Sequence, residues 1–288
     1  MSDAPSLVGG GELGEIPYLR PHPGPALFTR RSARFEALAG GHTLGDYLQF
    51  CGRLSAAQAV ASAELPPPPD ARDLAAVRPL DASVSHSDEW TEALQPIVRE
   101  LLPAPMPAAA REGLTRLANL GRKPLAALAA KILSGDFEGL DLAVAPLAAA
   151  ALQVQFVTRA ARIPVGAVAR AEGGCPLCGS RPVAAVVLGD DRLRYLACAL
   201  CGSQWYLTRV KCWRCGSTAG ISYFSLEGDS GAVKAEACDA CRSYVKLFYL
   251  ERRPAADPEA DDLATLALDT LVSEQGYQKN ALNLFLLA

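Results

Sequence analysis

Four Cys-x-x-Cys pairs stand within 67 residues of this 288-residue chain: Cys175/Cys178, Cys198/Cys201, Cys212/Cys215 and Cys238/Cys241. A tetrahedral metal held by thiolates can take two of its corners from one such tight turn, so two turns complete a site. The spacing therefore predicts two four-cysteine metal sites and a small fold built around them. The pairs also repeat. Cys175-Pro-Leu-Cys178-Gly-Ser leads to Cys198-Ala-Leu-Cys201-Gly-Ser, and Cys212-Trp-Arg-Cys215-Gly-Ser leads to Cys238-Asp-Ala-Cys241-Arg-Ser. The halves are offset by 37 residues at their first knuckles and by 40 at their second, so the second half carries an insertion of three. Gaps of 19 residues between Cys178 and Cys198 and 22 between Cys215 and Cys238 lie within or close to the zinc-ribbon spacing of about 15 to 20. Sequential pairing follows, with Cys175, Cys178, Cys198 and Cys201 on one metal and Cys212, Cys215, Cys238 and Cys241 on the other. The alternative, a crossed pairing, breaks the unit that the duplication implies.

Glycine follows the second cysteine in three knuckles, as Gly179, Gly202 and Gly216, which lets the backbone take positive φ and turn N–H groups toward sulfur. The fourth has Arg242, for which either a slightly different geometry or a charge-compensating role is expected, since a four-thiolate site with a divalent ion carries about −2. Arg209, Lys211 and Arg214 are placed for the same compensation. The three histidines, His22, His42 and His86, lie outside this region. Eight cysteines fill both spheres, so the sites read as closed. Closed sites point to a structural or electron-transfer metal, because a hydrolytic zinc keeps a position for water. A redox-dithiol enzyme needs one pair with a low thiol pKa, not four similar pairs. Ligand type leaves iron and zinc equally suited.

Before the cysteines the chain changes character. Fifteen of the 21 prolines lie at or before Pro124, with alanine dominating between them, which reads as short helices separated by Pro-rich turns. Residues 1–165 form the expected helical domain. A helix from near Thr43 is expected, with a capping-box-like Thr43/Asp46 pair and Leu44, Tyr47, Leu48, Cys51 and Leu54 on one face. It should stop before a stiff linker at Pro66–Pro69. Further helices are expected at 88–102, 108–120, 125–133 and 147–162. Cys51 reads as a core residue. From Gly173 short strands replace helices, in runs such as 182–188, 205–210, 223–226 and 244–250. Nine of the 19 aromatics fall between Tyr195 and Tyr249, as a small sheet needs large side chains for its core; Trp205 and Trp213 read as packing residues more than base-stacking ones. A last helix is capped by Asp257 with Pro258 in its first turn, presents Leu263, Leu266, Ala267, Thr270 and Leu271, and ends at Gly276. The fold class is α+β: an all-helical N-terminal domain (1–165), two tandem rubredoxin-like or zinc-ribbon β domains (173–211 and 212–253) and a C-terminal helix with its tail (257–288).

Charge narrows the function. Lys plus Arg number 28 against 31 Asp plus Glu, and the cysteine region holds nine basic and seven acidic residues. Neither balance is the footprint of a nucleic-acid protein. The richest apolar stretch, Ala143 to Val157, is broken by Pro146, Gln153 and Gln155, so no membrane span is expected. Met1 to Gly14 has no basic segment before an apolar core, so no secretory signal and a cytoplasmic location are expected. No phosphate loop, dinucleotide fingerprint or nucleophile elbow is present, so no catalytic residues are assigned.

Particular residues around the knuckles resemble the FdhE family of formate dehydrogenase accessory proteins. They are Arg194-Tyr-Leu196, Val210-Lys-Cys212, Tyr223-Phe-Ser-Leu226 and the run from Lys234 through Cys238 and Cys241 to Tyr244 and Lys246. The likeness extends to Asp261-Asp-Leu-Ala264, Glu274-Gln-Gly-Tyr277 and Asn283-Leu-Phe-Leu286, and to Arg30, Arg31, Arg34 and Leu44-Gly-Asp-Tyr-Leu48 with Phe50. The resemblance implies a cytoplasmic factor, not itself an oxidoreductase, that binds the formate dehydrogenase catalytic subunit before its export. It also implies iron in rubredoxin-like sites on the eight cysteines. On this reading the helices and the terminal segment 282–288 contact the client. Two other readings are carried: a zinc-ribbon nucleic-acid module, opposed by the charge, and a rubredoxin-like electron carrier, which requires iron.

Overall fold

The computed structural model describes residues 16–66, 78–82, 88–189 and 192–287. Most of the expected Pro66–Pro69 linker, His86 and the first fifteen residues lie outside that set. The helical part comprises α1 (Ala26–Ala39), α2 (Gly45–Glu64), a 3-10 turn (Asp88–Ala93), α3 (Leu94–Leu101), α4 (Ala108–Ala118), α5 (Arg122–Ser134) and α6 (Ala145–Ala160). Helix α6 is buried on nearly every face, as an Ala-rich helix with no charged stripe must be if it is to sit inside a bundle. α2 packs Leu48, Cys51 and Leu54 inward. The expected Thr43/Asp46 capping box does not form: α2 starts at Gly45 without a side-chain cap. His42 takes over instead, its Nδ1 accepting from Leu44 N–H at 3.0 Å while Nε2 bonds to Ala264 O. Cys51 is fully buried in the core.

Seven strands form one sheet: β1 (Pro182–Leu188), β2 (Leu193–Cys198), β3 (Gln204–Tyr206), β4 (Ile221–Phe224), β5 (Val233–Cys238), β6 (Ser243–Tyr249) and β7 (Gln278–Lys279). The order is β3-β2-β1-β6-β5-β4, with β7 beside β6. Within each repeat the pairs are antiparallel, but β1 joins β6 in parallel. In the duplication β6 corresponds to β3, so the halves meet head to tail. The register puts all four knuckles at one end of the sheet. Arg194 on β2 is buried and reaches the Glu236 carboxylate on β5. It also donates to Thr208 O at 2.6 Å and Lys211 O at 2.7 Å, which fixes the connection between the halves.

The C-terminal helix is two helices, α7 (Pro258–Leu263) and α8 (Leu266–Glu274). Asp257 caps α7 as expected, accepting from Glu259 N–H and Ala260 N–H at 3.0 Å, and Gly276 ends α8 with φ of +78°. The break arises because the buried Lys246 ammonium takes the carbonyls of Asp262 (2.7 Å) and Thr265 (3.2 Å). It turns α8 so that Leu268 and Val272 face inward while Ala267 and Thr270 are exposed. That corrects the expected apolar face. The tail is docked on the helices: Leu282, Leu284, Phe285 and Leu287 are buried while Leu286 is exposed, and Phe285 packs edge-on against Phe35 at 5.3 Å.

Around α7 four acidic residues, Asp257, Glu259, Asp261 and Asp262, are all buried. Arg31 from α1 lies 3.2 Å from Asp257 and 3.0 Å from Glu259, and Arg34 forks onto Asp261 at 2.6 and 2.8 Å. Lys246 and Lys279 bracket Asp262 at 3.1 and 2.8 Å. Arg31 Nη1 approaches Glu259 off the hydrogen-bonding direction and makes no hydrogen bond. Burial accordingly pushes the Glu259 carboxyl up to about 7, against the pull of Arg31. Between its unfolded value near 4.5 and about 7 the folded chain keeps a proton that the unfolded chain has released. The stability from this group therefore falls as pH rises through that window, by roughly 3 kcal/mol. Glu259→Gln is expected to match the parent in urea melts near pH 5 and to exceed it near pH 7.5; a variant with the parent's pH slope contradicts this origin.

Candidate metal centres

Each knuckle is built the same way. Cys175, Cys198 and Cys212 donate their N–H to the carbonyl of the serine five residues on, at 2.8 to 2.9 Å. Gly179 and Gly216 close the turn by donating back to Cys175 O (2.9 Å) and Cys212 O (3.0 Å). The glycines after the second cysteine have φ of +79°, +71° and +74°, conformations that side chains resist. Arg242 takes the same shape, with φ of +53°, so the fourth turn is not different in kind. Its guanidinium lies 3.9 Å from the Tyr277 ring centroid and donates to Gln275 O at 2.7 Å. The left-handed arginine thus pins the segment after α8 to the knuckle.

The structure brings the sequential quartets together. The sulfurs of Cys175, Cys178, Cys198 and Cys201 all lie within 4.8 Å of one another, as do those of Cys212, Cys215, Cys238 and Cys241. Cys175 and Cys201 are 3.6 Å apart and Cys178 and Cys198 3.4 Å; in the second cluster the corresponding pairs are at 3.6 and 3.7 Å. A disulfide needs about 2.05 Å, whereas the edge of a tetrahedron with metal–sulfur bonds of about 2.3 Å is about 3.8 Å. All eight cysteines are free. The donor sets therefore fit a tetrahedral, thiophilic divalent ion such as zinc or iron.

The surroundings fit thiolates too. Leu200 and Cys201 N–H groups donate to Cys198 Sγ at 3.4 Å. Backbone N–H groups from the equivalent positions reach Cys212 and Cys238. Ser203 and Ser243 place hydroxyls 3.3 and 3.0 Å from Cys201 Sγ and Cys241 Sγ. The repeated serine stood in the sequence motif, but its contact with sulfur did not follow from spacing alone. Burial pushes the Cys178 and Cys198 thiols well up, as expected where thiolates have no cation to offset desolvation.

The clusters differ in exposure. All four cysteines of the first are buried, while Cys215 is exposed and Cys241 half-buried in the second. Residues from the N-terminal part of the chain enclose the first: His22 Nε2 lies 2.7 Å from Cys201 O, Gln153 on α6 donates to Ala199 O at 2.7 Å, and Leu80 and Ala82 N–H groups donate to Leu177 O and Cys178 O. His22 is thus a neighbour of a knuckle although no ligand. The second cluster opens on a 570 Å³ cleft lined by Cys212, Cys215, Trp213, Arg170, Lys211 and Arg214. Trp205 is buried in the sheet.

A helical module enclosing one of two tandem four-cysteine knuckle clusters, with a buried C-terminal clamp, defines a metal-ribbon protein of mixed α+β class. Its sequence matches the FdhE N-terminal description over residues 16–172, the FdhE central domain over 174–209 and the FdhE C-terminal domain over 210–286. The chain is 38% identical over 274 residues to an FdhE homolog of Cronobacter sakazakii, covering 90% of this chain and 88% of that one. It is 36% identical over 297 residues to one of Rhizobium meliloti, covering 98% and 96%. The crystal structure of the FdhE protein from Pseudomonas aeruginosa superposes with a TM-score of 0.86 at 34% identity, covering 94% of this chain and 99% of that one. The chain belongs to the FdhE family.

Exposure sets the order of metal loss. A chelator is expected to remove metal in two phases, fast from the second cluster and slow from the first, as followed by native mass spectrometry. Cys215→Ser should abolish the fast phase alone. Cys175→Ser should remove the slow phase and lower folding stability by several kcal/mol, since structural metal sites of this kind are worth about 10–16 kcal/mol in peptides. Equal release from both clusters would contradict the assignment.

Proposed function

We propose that this chain is a maturation factor for formate dehydrogenase that binds the catalytic subunit in the cytoplasm, with Cys175, Cys178, Cys198 and Cys201 holding one metal ion and Cys212, Cys215, Cys238 and Cys241 a second. The observation that carries this reading is membership of one accessory family across the helical module, both knuckle halves and the terminal clamp. A bare ribbon would share only the cysteines. Four thiolates complete a tetrahedral ion, leaving no position for a substrate water, which favours a factor over an enzyme. The family resemblance favours iron, which would supply one-electron chemistry in such a site; zinc would supply rigidity alone. The buried first cluster serves as a cross-link between helices and sheet. The second, opening on a cationic and aromatic cleft, is the better placed to meet the client. No helix among the described residues is long and apolar enough to cross a membrane, in keeping with a factor that acts before the subunit is exported.

The electron-carrier reading draws support from the exposure of Cys215 alone. Affinity purification of the tagged protein from formate-grown cells, followed by mass spectrometry, separates the readings. Recovery of a formate dehydrogenase catalytic subunit, lost when Lys211 and Arg214 are both changed to Glu, is expected. Recovery of RNA-associated proteins in its place would overturn the proposal.

A further inference from the structure

A second concave site lies at the end of the sheet opposite the knuckles. Strand register places Leu188 at the end of β1, Val233 at the start of β5 and Tyr249 at the end of β6 there, facing the turn that enters β2. Arg192, Arg209, Lys234 and Arg252 converge on a cavity of about 160 Å³ with Tyr249 and Glu251. One water takes about 10–15 Å³ of such space, so the cavity has room for one or two phosphate groups. Among the described residues of the lining, four cations face one carboxylate. Among the described residues none of the four is in a salt bridge; Asp190 and Asp191, which precede Arg192, lie outside that set. Arg252 donates to Ser230 O at 2.6 Å and Lys234 sits 5.7 Å from the Tyr249 ring centroid. Neither contact neutralises charge. The Tyr223 hydroxyl on the cavity wall is committed to Glu236 at 3.0 Å, so Glu236 in turn is shared with Arg194 and adds no free acceptor to the pocket.

Like charges gathered in a cavity repel one another, and a local excess of about three is relieved by an anion of matching charge and shape. Guanidinium groups present paired donors that suit planar or tetrahedral oxyanions. A phosphate group, with a charge of about −1.5 to −2 and three acceptor oxygens, meets this lining better than a single carboxylate. An acidic peptide would need an extended groove, whereas this open concavity is small. The geometry points to a phosphate-binding pocket formed by Arg192, Arg209, Lys234 and Arg252, separate from both cysteine clusters, that takes the phosphate or diphosphate group of a small molecule.

Isothermal titration of the metal-loaded full chain with inorganic phosphate, pyrophosphate and ADP at low salt tests this. Saturable binding of pyrophosphate is expected, weakening as salt is added. Lys234→Ala and Arg209→Ala should each weaken it about tenfold, the loss of one charge-assisted contact. Lys234→Arg should restore most of the affinity, and Arg116→Ala, on the distant α4, should change nothing. The exposed or half-buried positions of Lys234 and Arg209 allow folding to be checked by metal content and melting temperature. ADP binding more tightly than pyrophosphate would identify a nucleotide as the source of the phosphate; equal binding would identify free phosphates. The proposal is overturned if no phosphate compound binds up to about 10 mM, if the Lys234 and Arg209 variants bind like the parent, or if only a polyglutamate peptide binds.

Discussion

The buried charge network at α7 is the constraint on which the arrangement of the other parts depends. Four acidic side chains within six residues are removed from water, which on its own would cost several kcal/mol for each that stays ionised and leaves Glu259 holding its proton up to about pH 7. The structure meets that cost with cations from four separate places: Arg31 and Arg34 on α1, Lys246 on β6, Arg253 just after β6, and Lys279 on β7. Asn283 in the tail also donates to Asp262 at 2.9 Å. Each partner is useful only if the other elements have already arrived. The network therefore contributes less to net stability than its number of contacts suggests, and more to fixing one relative position of helices, sheet and tail. Removing one of the cations leaves a buried carboxylate uncompensated, a change of about 3 to 5 kcal/mol.

The same network reaches the first cysteine cluster through one side chain. Gln153 Nε2 lies 3.0 and 3.1 Å from the Glu259 carboxylate oxygens and 2.7 Å from Ala199 O, between Cys198 and Cys201. Gln58 donates to Gln153 Oε1 at 2.9 Å. In the sequence Gln153 was only an interruption in an apolar run. In the fold it is the polar link that an otherwise fully buried helix needs to touch both a metal knuckle and a charged helix N-terminus. Loss of the first metal would free the Ala199 turn and leave Gln153 with one fewer acceptor, so the cluster and the charge network support each other.

How much of this was legible follows from the range of each interaction. The knuckles, the sequential pairing and β1 were readable because ligand spacing and strand composition are local signals. The helices from α2 to α6 were readable to within a few residues for the same reason. Helix α1 was not named, because its apolar residues are Leu27, Phe28 and Phe35 among arginines that look like solvent-facing charge; Arg31 is in fact buried against α7. The break between α7 and α8 was hidden because Lys246, which causes it, lies on a strand. Thr43 and Asp46 satisfied a capping pattern, yet His42 won through a contact with Ala264 that is more than two hundred residues away in sequence. The parallel joint between β1 and β6 likewise has no local signature. Composition showed the charge balance to be near neutral, and so concealed the four cations that the fold gathers at the far end of the sheet.

The duplication explains why two similar clusters came to differ. Two identical ribbons joined head to tail offer unlike edges, and the edge of the first half, β3, is extended by the N-terminal segment through Tyr206 N–H to Tyr18 O at 2.7 Å and Arg20 N–H to Gln204 O at 3.0 Å. That pairing draws His22 and α1 over the first cluster and buries it. The corresponding strand of the second half, β6, pairs with β5 on one side and with β1 and β7 on the other, so what reaches the fourth knuckle is the short strand β7, whose Gln278 N–H donates to Arg242 O at 2.8 Å. The second cluster keeps its exposed cysteine, and its outer turn is held by β7, by Arg242 stacked on Tyr277 and by the Tyr277 hydroxyl donating to Asp239. The asymmetry is thus a consequence of sheet order. It leaves one cluster buried between helices and sheet and the other partly open.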